Sequence, residues 1–158
     1  MRAMEPRERF RLSWVLRGQL AVGSLPHAER HLERLEQEGI AAVLSLVAEP
    51  EAPLAVGLEE RFHWRRCPLP DHRSERLVAK PELERALAEL AALREHGPVF
   101  VHCLAAMERS PLLCLAWLMR ERGLSRQQAL DYLMQVHPGT SPLAGQLAVL
   151  AELDSVKG

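Results

Sequence analysis

A strand, a loop and a helix that follow one another around residue 100 constrain this 158-residue chain most strongly. The apolar run Val99–His102 is typical of a short buried strand. The segment Arg109–Arg122 is apolar on almost every side, which predicts a central and buried helix. Between them lie Cys103 and the residues 104–108. Because a helix N-terminus offers unpaired backbone N–H groups and the positive end of a dipole, the sequence predicts an anion site in this loop.

Phosphate is the anion that best fits the side chains of this loop. Arg109, at the expected helix start, has a planar guanidinium that binds two phosphate oxygens at once. The field of the helix also favours the thiolate form of Cys103, and a thiolate beside a bound phosphoryl group is a nucleophile. We expect phosphate to be bound by the loop through Leu104, Ala105, Ala106, Met107, Glu108 and Arg109.

The pattern His102-Cys103-x5-Arg109-Ser110 resembles the signature of the cysteine-based protein tyrosine phosphatases, in their compact dual-specificity form. The resemblance extends over most of the chain, from the region of Trp14 to the final helices. It implies that Cys103 takes the phosphoryl group, Arg109 holds it and Ser110 helps the thiolate leave, with no metal or other cofactor. We expect His102 to orient the loop.

Asp71 is the candidate general acid and base. It lies in the segment Pro-Leu-Pro-Asp-His, just after a predicted strand, on a loop that can close over the cleft. The resemblance supports this choice, because that family places an aspartate on a mobile loop upstream of its cysteine. The alternative is a turn residue, since Pro-Asp pairs favour turns whatever the chemistry.

The rest of the chain alternates strands and helices, which predicts a three-layer α/β sandwich. We expect one protein tyrosine phosphatase-like domain over residues 1–158, with 1–11 as a frayed arm and a mostly parallel sheet of four to five strands. Its active loop follows the carboxyl end of a strand. The predicted elements are a hairpin over 14–22 turning at Gly18, a helix capped by Ser24 and ending at Gly39, a strand over 40–47, a loop or short helix over 49–60, a strand over 62–67, a helix opened by Pro81, and helices over 125–137 and 141–153.

Composition limits the classes of partner. The 20 basic and 21 acidic side chains leave a net charge of −1, so nothing indicates nucleic acid or a membrane surface. No apolar run approaches the roughly 20 residues that cross a bilayer. Three cysteines without Cys-x2-Cys spacing suit a reducing compartment and predict a cytoplasmic protein.

Four other side chains with reactive or metal-binding atoms have simpler interpretations. His27 and His31 have metal-ligand spacing on one helix, but no third ligand accompanies them, so we interpret them as part of a solvated face. Cys67 and Cys114 lie in apolar segments, and we predict that both are core thiols. We therefore predict no metal site.

The predicted substrate is a phosphorylated protein or peptide. The chain has no evident segment that would deepen a phosphotyrosine pocket, so a shallow cleft admits phosphoserine and phosphothreonine as well. We interpret a group of basic residues near Asp71 as a rim that attracts such substrates. They are Arg65, Arg66, His72, Arg73 and Arg76.

Two alternatives stay open. Ala106 occupies a position where the family usually has glycine, and Glu108 one where it often has a small residue. These departures favour an inactive phosphopeptide-binding module as the second hypothesis. A rhodanese-like sulfurtransferase is the third, disfavoured by Asp71 and by the five-residue interval between Cys103 and Arg109.

Overall fold

The structure is a computed structural model that describes residues 10–50, 53–70, 76–105, 108–142 and 144–157, of which 144 and 154–157 are described by their backbone only. Five strands form one sheet, and they are β1 (Leu12–Leu16), β2 (Leu20–Gly23), β3 (Ala42–Ser45), β4 (His63–Arg66) and β5 (Val99–His102). Six helices accompany them in the described residues, namely α1 (Glu29–Gln37), α2 (Leu58–Arg61), α3 (Lys80–Arg94), α4 (Arg109–Arg122), α5 (Arg126–Val136) and α6 (Ala144–Lys157).

The sheet has the order β1-β2-β5-β3-β4. All neighbouring strands are parallel except β1, which pairs antiparallel with β2. The predicted mostly parallel sheet is confirmed. Because β5 lies between β2 and β3, the residue that follows β5 lies at the middle of the carboxyl edge of the sheet, where ligands bind in such folds.

Successive side chains of the strands point to opposite faces of the sheet, and each face has its own apolar core. On β5, Val99 and Val101 join the larger cluster formed with α3, α4, α5 and α6. Phe100 joins the smaller cluster, which includes Leu32 and Leu35 of α1. The sheet is therefore covered on both faces, and the predicted three-layer sandwich is confirmed.

Helix α4 is the central element that the sequence predicts. Every residue from Arg109 to Met119 is buried. The helix ends at Gly123, whose φ of +69° is a left-handed conformation that glycine adopts without steric cost. This burial fixes the N-terminus of α4 against the sheet.

Helix α1 begins later than the sequence predicts. Its N-cap is Ala28, so the prediction that Ser24 caps this helix is wrong. The Ser24 hydroxyl instead accepts a hydrogen bond from the backbone N–H of Arg11 at 2.8 Å. The capping role is taken by His31, whose Nδ1 accepts the backbone N–H groups of His27 and Ala28, both at 3.1 Å.

His31 also differs from its predicted surroundings. Its side chain is 4 % exposed and its ring stacks on Phe10, with centroids 4.4 Å apart. The interpretation of His31 as part of a solvated face is therefore wrong. Phe10 packs against the smaller core, whereas residues 1–9 of the expected arm lie outside the described residues.

Other boundaries shift by a few residues. The strand expected over 40–47 spans Ala42–Ser45, because the buried residues on either side lie beyond its ladder. The last helix begins at Ala144 and extends to Lys157 instead of spanning 141–153. Among the helices of the described residues, none has the length and apolar character needed to cross a membrane.

Candidate active site

Cys103 follows β5 directly and faces the first turn of α4. It is 2 % exposed, and its Sγ lies 3.1 Å from the Oγ of Ser110, which is fully buried. The two residues are brought together because β5 ends and α4 begins at the same edge of the sheet. A hydroxyl at this distance can donate a hydrogen bond to a thiolate.

Arg109 is the first residue of α4 and is 2 % exposed. Its Nη1 donates to the backbone carbonyl oxygens of Leu46 at 3.4 Å and Leu69 at 3.3 Å. Leu46 follows β3 and Leu69 comes after β4, so both carbonyls lie at the carboxyl edge of the sheet. These contacts hold a guanidinium with a permanent positive charge beside the loop that carries Cys103.

The described part of the predicted phosphate loop runs along the surface. Leu104 is 38 % exposed, and its carbonyl accepts a hydrogen bond from the backbone N–H of Leu25 at 3.2 Å. Ala105 is also exposed. Glu108 is the N-cap of α4, and its carbonyl accepts the N–H of Leu112 at 3.0 Å. Ala106 and Met107 lie outside the described residues.

His102 is the last residue of β5 and is fully buried. Its Nδ1 lies 3.0 Å from the carbonyl oxygen of Cys103, and its Nε2 lies 2.5 Å from the Oγ of Ser45. Burial lowers the pKa of His102 to about 4, and the charges of Arg66 and Arg109 act in the same direction, whereas the hydrogen bond to the Cys103 carbonyl opposes them. The imidazole is therefore neutral near pH 7.

Two side chains of this network are not identified from the sequence. Ser45 is fully buried at the end of β3, and its Oγ accepts a hydrogen bond from the Nε1–H of Trp64 at 2.9 Å. The only signal for Ser45 is that it is the single hydroxyl in the apolar run 40–47. Trp64 gives no such signal, because a tryptophan in a strand is explained by packing alone.

The region of the predicted acid is described only at its two ends. Asp71, His72 and Arg73 lie outside the described residues. On the far side of this gap, Arg76 makes a bidentate pair with Glu82 at 2.6 and 2.7 Å. Arg76 is therefore attached to α3 by an ion pair.

The described members of the predicted basic rim have partners within the protein. Besides the pairing of Arg76, the Nε of Arg65 lies 3.5 Å from Glu89. Arg66 donates to the carbonyl of Val47 at 2.8 Å, and its guanidinium lies over the Trp64 ring at 5.2 Å from the centroid. These three residues are thus held in place instead of extending as an open rim.

The two remaining cysteines are core thiols, as predicted. Cys67 is 5 % exposed and Cys114 is fully buried, and burial raises the pKa of both thiols. Within the part of the chain that the structure describes, no group of three or more His, Cys, Asp or Glu side chains is arranged to bind a metal ion.

Comparison with known families gives a match over most of the chain. The family model described as "Dual specificity phosphatase, catalytic domain" matches residues 20–155. This range includes every residue of the site described above. The match does not favour the sulfurtransferase alternative.

Individual relatives agree with this match. The chain is 33% identical to Dual specificity phosphatase 28 of Homo sapiens over 113 residues, which are 72% of this chain and 61% of that protein. It is 29% identical to Dual specificity protein phosphatase 5 of Homo sapiens over 137 residues, which are 86% of this chain and 34% of that protein. The chain thus spans between about a third and three fifths of the length of these relatives.

A solved structure extends the similarity to the whole fold. The crystal structure of Tk-PTP in the active form superposes with a TM-score of 0.78 at 30% identity, over 96% of this chain and 99% of that chain. The crystal structure of human DUSP28 superposes with a TM-score of 0.71 at 27% identity, over 93% of this chain and 95% of that chain.

Proposed function

The chain belongs to the dual specificity phosphatase family, and from this premise we propose that it hydrolyses phosphate monoesters on protein side chains through a phosphocysteine on Cys103. The observation that carries the proposal is the contact of 3.1 Å between the Cys103 Sγ and the Ser110 Oγ at the N-terminus of α4. The helix dipole and the adjacent Arg109 favour negative charge at this position, both on the thiolate and on the substrate.

In the first step, the Cys103 thiolate attacks the phosphorus of the substrate. A sulfur–phosphorus bond forms, and the bond between phosphorus and the leaving oxygen breaks. Arg109 binds two of the phosphoryl oxygens, and its hydrogen bonds to Leu46 and Leu69 fix its orientation before substrate arrives. The backbone N–H groups of the loop stabilise the charge that develops in the transition state.

We propose that Asp71 donates a proton to the leaving oxygen. The chain reaches Asp71 two residues after Leu69, whose carbonyl binds Arg109 at 3.3 Å. Two residues of extended chain span at most about 7 Å, and this short separation along the chain supports the choice of Asp71. A carboxylic acid in this position contributes roughly 10²–10⁴-fold to the rate.

In the second step, water attacks the phosphocysteine. Asp71, now a carboxylate, accepts a proton from the water, while the sulfur–phosphorus bond breaks and phosphate is released. The Ser110 hydroxyl donates a hydrogen bond to the departing Cys103 sulfur, which stabilises the thiolate as a leaving group. The enzyme returns to its starting state without a metal or another cofactor.

We expect phosphotyrosine to be a substrate, with phosphoserine and phosphothreonine also accepted. The exposed Leu104 and Ala105 form an open surface next to Cys103, which suits side chains of different length. The three free cysteines suit a reducing compartment, and we expect the protein to act in the cytoplasm.

Hydrolysis of para-nitrophenyl phosphate in the presence of reductant and chelator tests the proposal. We expect turnover by the wild type and a loss of at least about 10³-fold in kcat for Cys103→Ser and Arg109→Lys, because both remove groups that act on the phosphoryl group. Asp71→Asn is expected to slow phosphotyrosine peptide hydrolysis more than that of para-nitrophenyl phosphate, whose leaving group needs little protonation.

Cys67→Ala is the matched control, because this thiol is buried in the core and outside the proposed machinery. Its kcat is expected to equal that of the wild type. A wild type that binds vanadate without turnover would instead support the phosphopeptide-binding module. Phosphoserine and phosphothreonine peptides with the same flanking residues determine whether the activity is dual.

A further inference from the structure

A chain of hydrogen bonds crosses three adjacent strands and ends at the backbone of Cys103. The Trp64 Nε1–H on β4 lies 2.9 Å from the Ser45 Oγ on β3. The Ser45 Oγ lies 2.5 Å from the His102 Nε2 on β5, and the His102 Nδ1 lies 3.0 Å from the Cys103 carbonyl oxygen. Ser45 and His102 have no exposed surface, so water does not compete for these bonds.

The chemistry of the four groups allows only one direction for these bonds. A carbonyl oxygen accepts and cannot donate, so the neutral His102 carries its proton on Nδ1 and donates it to Cys103. Its Nε2 then has a lone pair, which accepts the Ser45 hydroxyl hydrogen. The Ser45 oxygen accepts the Trp64 indole N–H, which can only donate. Each group in the chain is therefore satisfied by one tautomer of His102.

We propose that Ser45 and Trp64 are positioning residues for phosphoryl transfer, because they hold His102 in the tautomer that fixes the Cys103 carbonyl. The proposal rests on the proposed function of the Cys103 loop. Ser45 and Trp64 do not touch the phosphate; they act through His102 on the peptide that follows Cys103.

The orientation of this peptide decides which group faces the anion. In a trans peptide the C=O and the N–H point in opposite directions. While His102 holds the Cys103 carbonyl, the N–H of Leu104 points away from His102. In the proposal this N–H donates to the bound phosphate. A rotated peptide would aim a carbonyl oxygen at the bound anion, where its partial negative charge repels phosphate.

The loss of the Ser45 hydroxyl changes the balance between the two tautomers. Without it, the Nε2 lone pair is buried with no donor, which is costly in a dry interior. A proton on Nε2 removes the donor from Nδ1, and the lone pair of Nδ1 then faces the carbonyl oxygen of Cys103. The carbonyl is repelled, and the peptide loses its anchor.

Ser45→Thr and Ser45→Val test this role as a pair, because the two side chains have the same shape and differ only in the hydroxyl. Hydrogen-bond partners that orient metal-binding histidines change activity by about 10- to 100-fold, and we expect an effect of similar size here. We expect Ser45→Val to have a kcat/KM for para-nitrophenyl phosphate at least about tenfold below that of Ser45→Thr, with vanadate affinity reduced to a similar degree. Nitrogen-15 NMR of the His102 ring is expected to show Nδ1–H in the wild type and in Ser45→Thr, and a shift towards Nε2–H in Ser45→Val.

A second pair of variants tests the same role without changing the packing around Ser45. Trp64→Phe deletes the indole N–H from the chain and is expected to reduce kcat/KM in the same direction by a smaller factor. Trp14→Phe is its control, because the Trp14 Nε1–H donates to Glu38 at 2.7 Å, away from the site. We expect Trp14→Phe to leave kcat/KM and the His102 tautomer unchanged.

The results separate this proposal from the proposed function. Equal kcat/KM and equal tautomers in Ser45→Thr and Ser45→Val, with an active wild type, would overturn the positioning role alone. An inactive wild type would contradict the proposed function, and the tautomer and vanadate measurements would then decide the role of Ser45 by themselves. If neither pair differs in these two measurements, the positioning role is wrong.

Discussion

His102 at the end of β5 and His31 in the first turn of α1 are both buried, and burial is the main cause that lowers the pKa of each to about 4. Both are therefore neutral near pH 7. The His102 Nδ1 donates to the carbonyl of Cys103, whereas the His31 Nδ1 accepts two backbone N–H groups at the start of α1. One imidazole contacts the backbone of the candidate nucleophile, and the other caps a helix.

The difference between these regions shows that burial and protonation state alone do not identify a functional histidine. The group to which each ring is hydrogen-bonded distinguishes the two histidines. In our proposal a donor to the backbone of Cys103 affects how the loop binds an anion, while an acceptor at a helix start affects whether that helix forms. We therefore expect the two histidines to separate activity from stability when each is changed.

Substitution of His102 is expected to have the largest effect, and this effect is on catalytic activity. His102→Gln has no donor at the position of Nδ1, whereas the amide nitrogen of His102→Asn retains one. We expect His102→Gln to lower kcat/KM for para-nitrophenyl phosphate by about 10- to 100-fold and His102→Asn to retain more of the activity. Steady-state kinetics on variants with similar thermal unfolding midpoints measure this difference.

His31→Phe provides the matching change in the other region. It keeps an aromatic ring against Phe10 and removes the acceptor at the start of α1. The free energy of unfolding is expected to fall by about 1 kcal/mol, as for the loss of a helix cap, with kcat/KM unchanged. A loss of activity as large as that of His102→Gln would show that the two regions are not separate.

The pH dependence of stability is the second expected effect. Because both histidines have a folded-state pKa below the ordinary value of 6.5, the unfolded chain binds more protons between about pH 6.5 and pH 4. Stability is therefore fully present above about pH 6.5 and is lost as the pH falls towards 4. The contribution of His102 to this loss is about 3 kcal/mol over the whole interval.

Urea denaturation at a series of pH values measures this slope. His31→Phe and His102→Asn are each expected to flatten the curve between pH 6.5 and 4, and the double variant to flatten it further. If the slope of His31→Phe equals that of the wild type, the His31 ring does not stay neutral in the folded protein, and its assignment as an acceptor is wrong.

Phe10→Leu is expected to have the smallest effect. The Phe10 ring stacks on His31 at an angle of 15° and keeps water from it. Without this ring, His31 is better solvated, so its pKa is expected to rise towards the ordinary value while kcat/KM stays unchanged. NMR titration of the His31 ring measures the pKa, with Phe62→Leu as a control in the same core cluster. If the His31 pKa is unchanged in Phe10→Leu, a cause other than the contact with Phe10 lowers it.

The sequence predicts those features of the site that depend on neighbours along the chain. Val99–His102, Cys103 and Arg109–Arg122 form a continuous strand, loop and helix, so their order alone brings Cys103 and Ser110 to one edge of the sheet. The apolar residues on every face of α4 likewise predict its burial, because only a helix surrounded by protein buries all its faces.

The network behind His102 depends instead on the order of the strands. Ser45, Trp64 and His102 come together because β3 lies between β4 and β5 in the sheet. Nothing in one sequence specifies that order or which hydroxyl faces which ring. The predicted N-terminus of α1 is wrong for a local reason. Ser24 and His31 both offer an acceptor, and the Ser24 hydroxyl accepts a hydrogen bond from the backbone of Arg11 instead.

Detection of phosphorylated Cys103 is the measurement that tests the central claim most directly. Asp71→Asn is mixed with para-nitrophenyl phosphate, whose leaving group departs without an acid, and the reaction is quenched rapidly for peptide mass spectrometry. Because this substitution removes the proposed base for the second step, we predict that the peptide containing Cys103 carries one phosphoryl group and that Cys103→Ser carries none. Turnover by the wild type, together with an unmodified Cys103 throughout this reaction, would contradict the phosphocysteine mechanism.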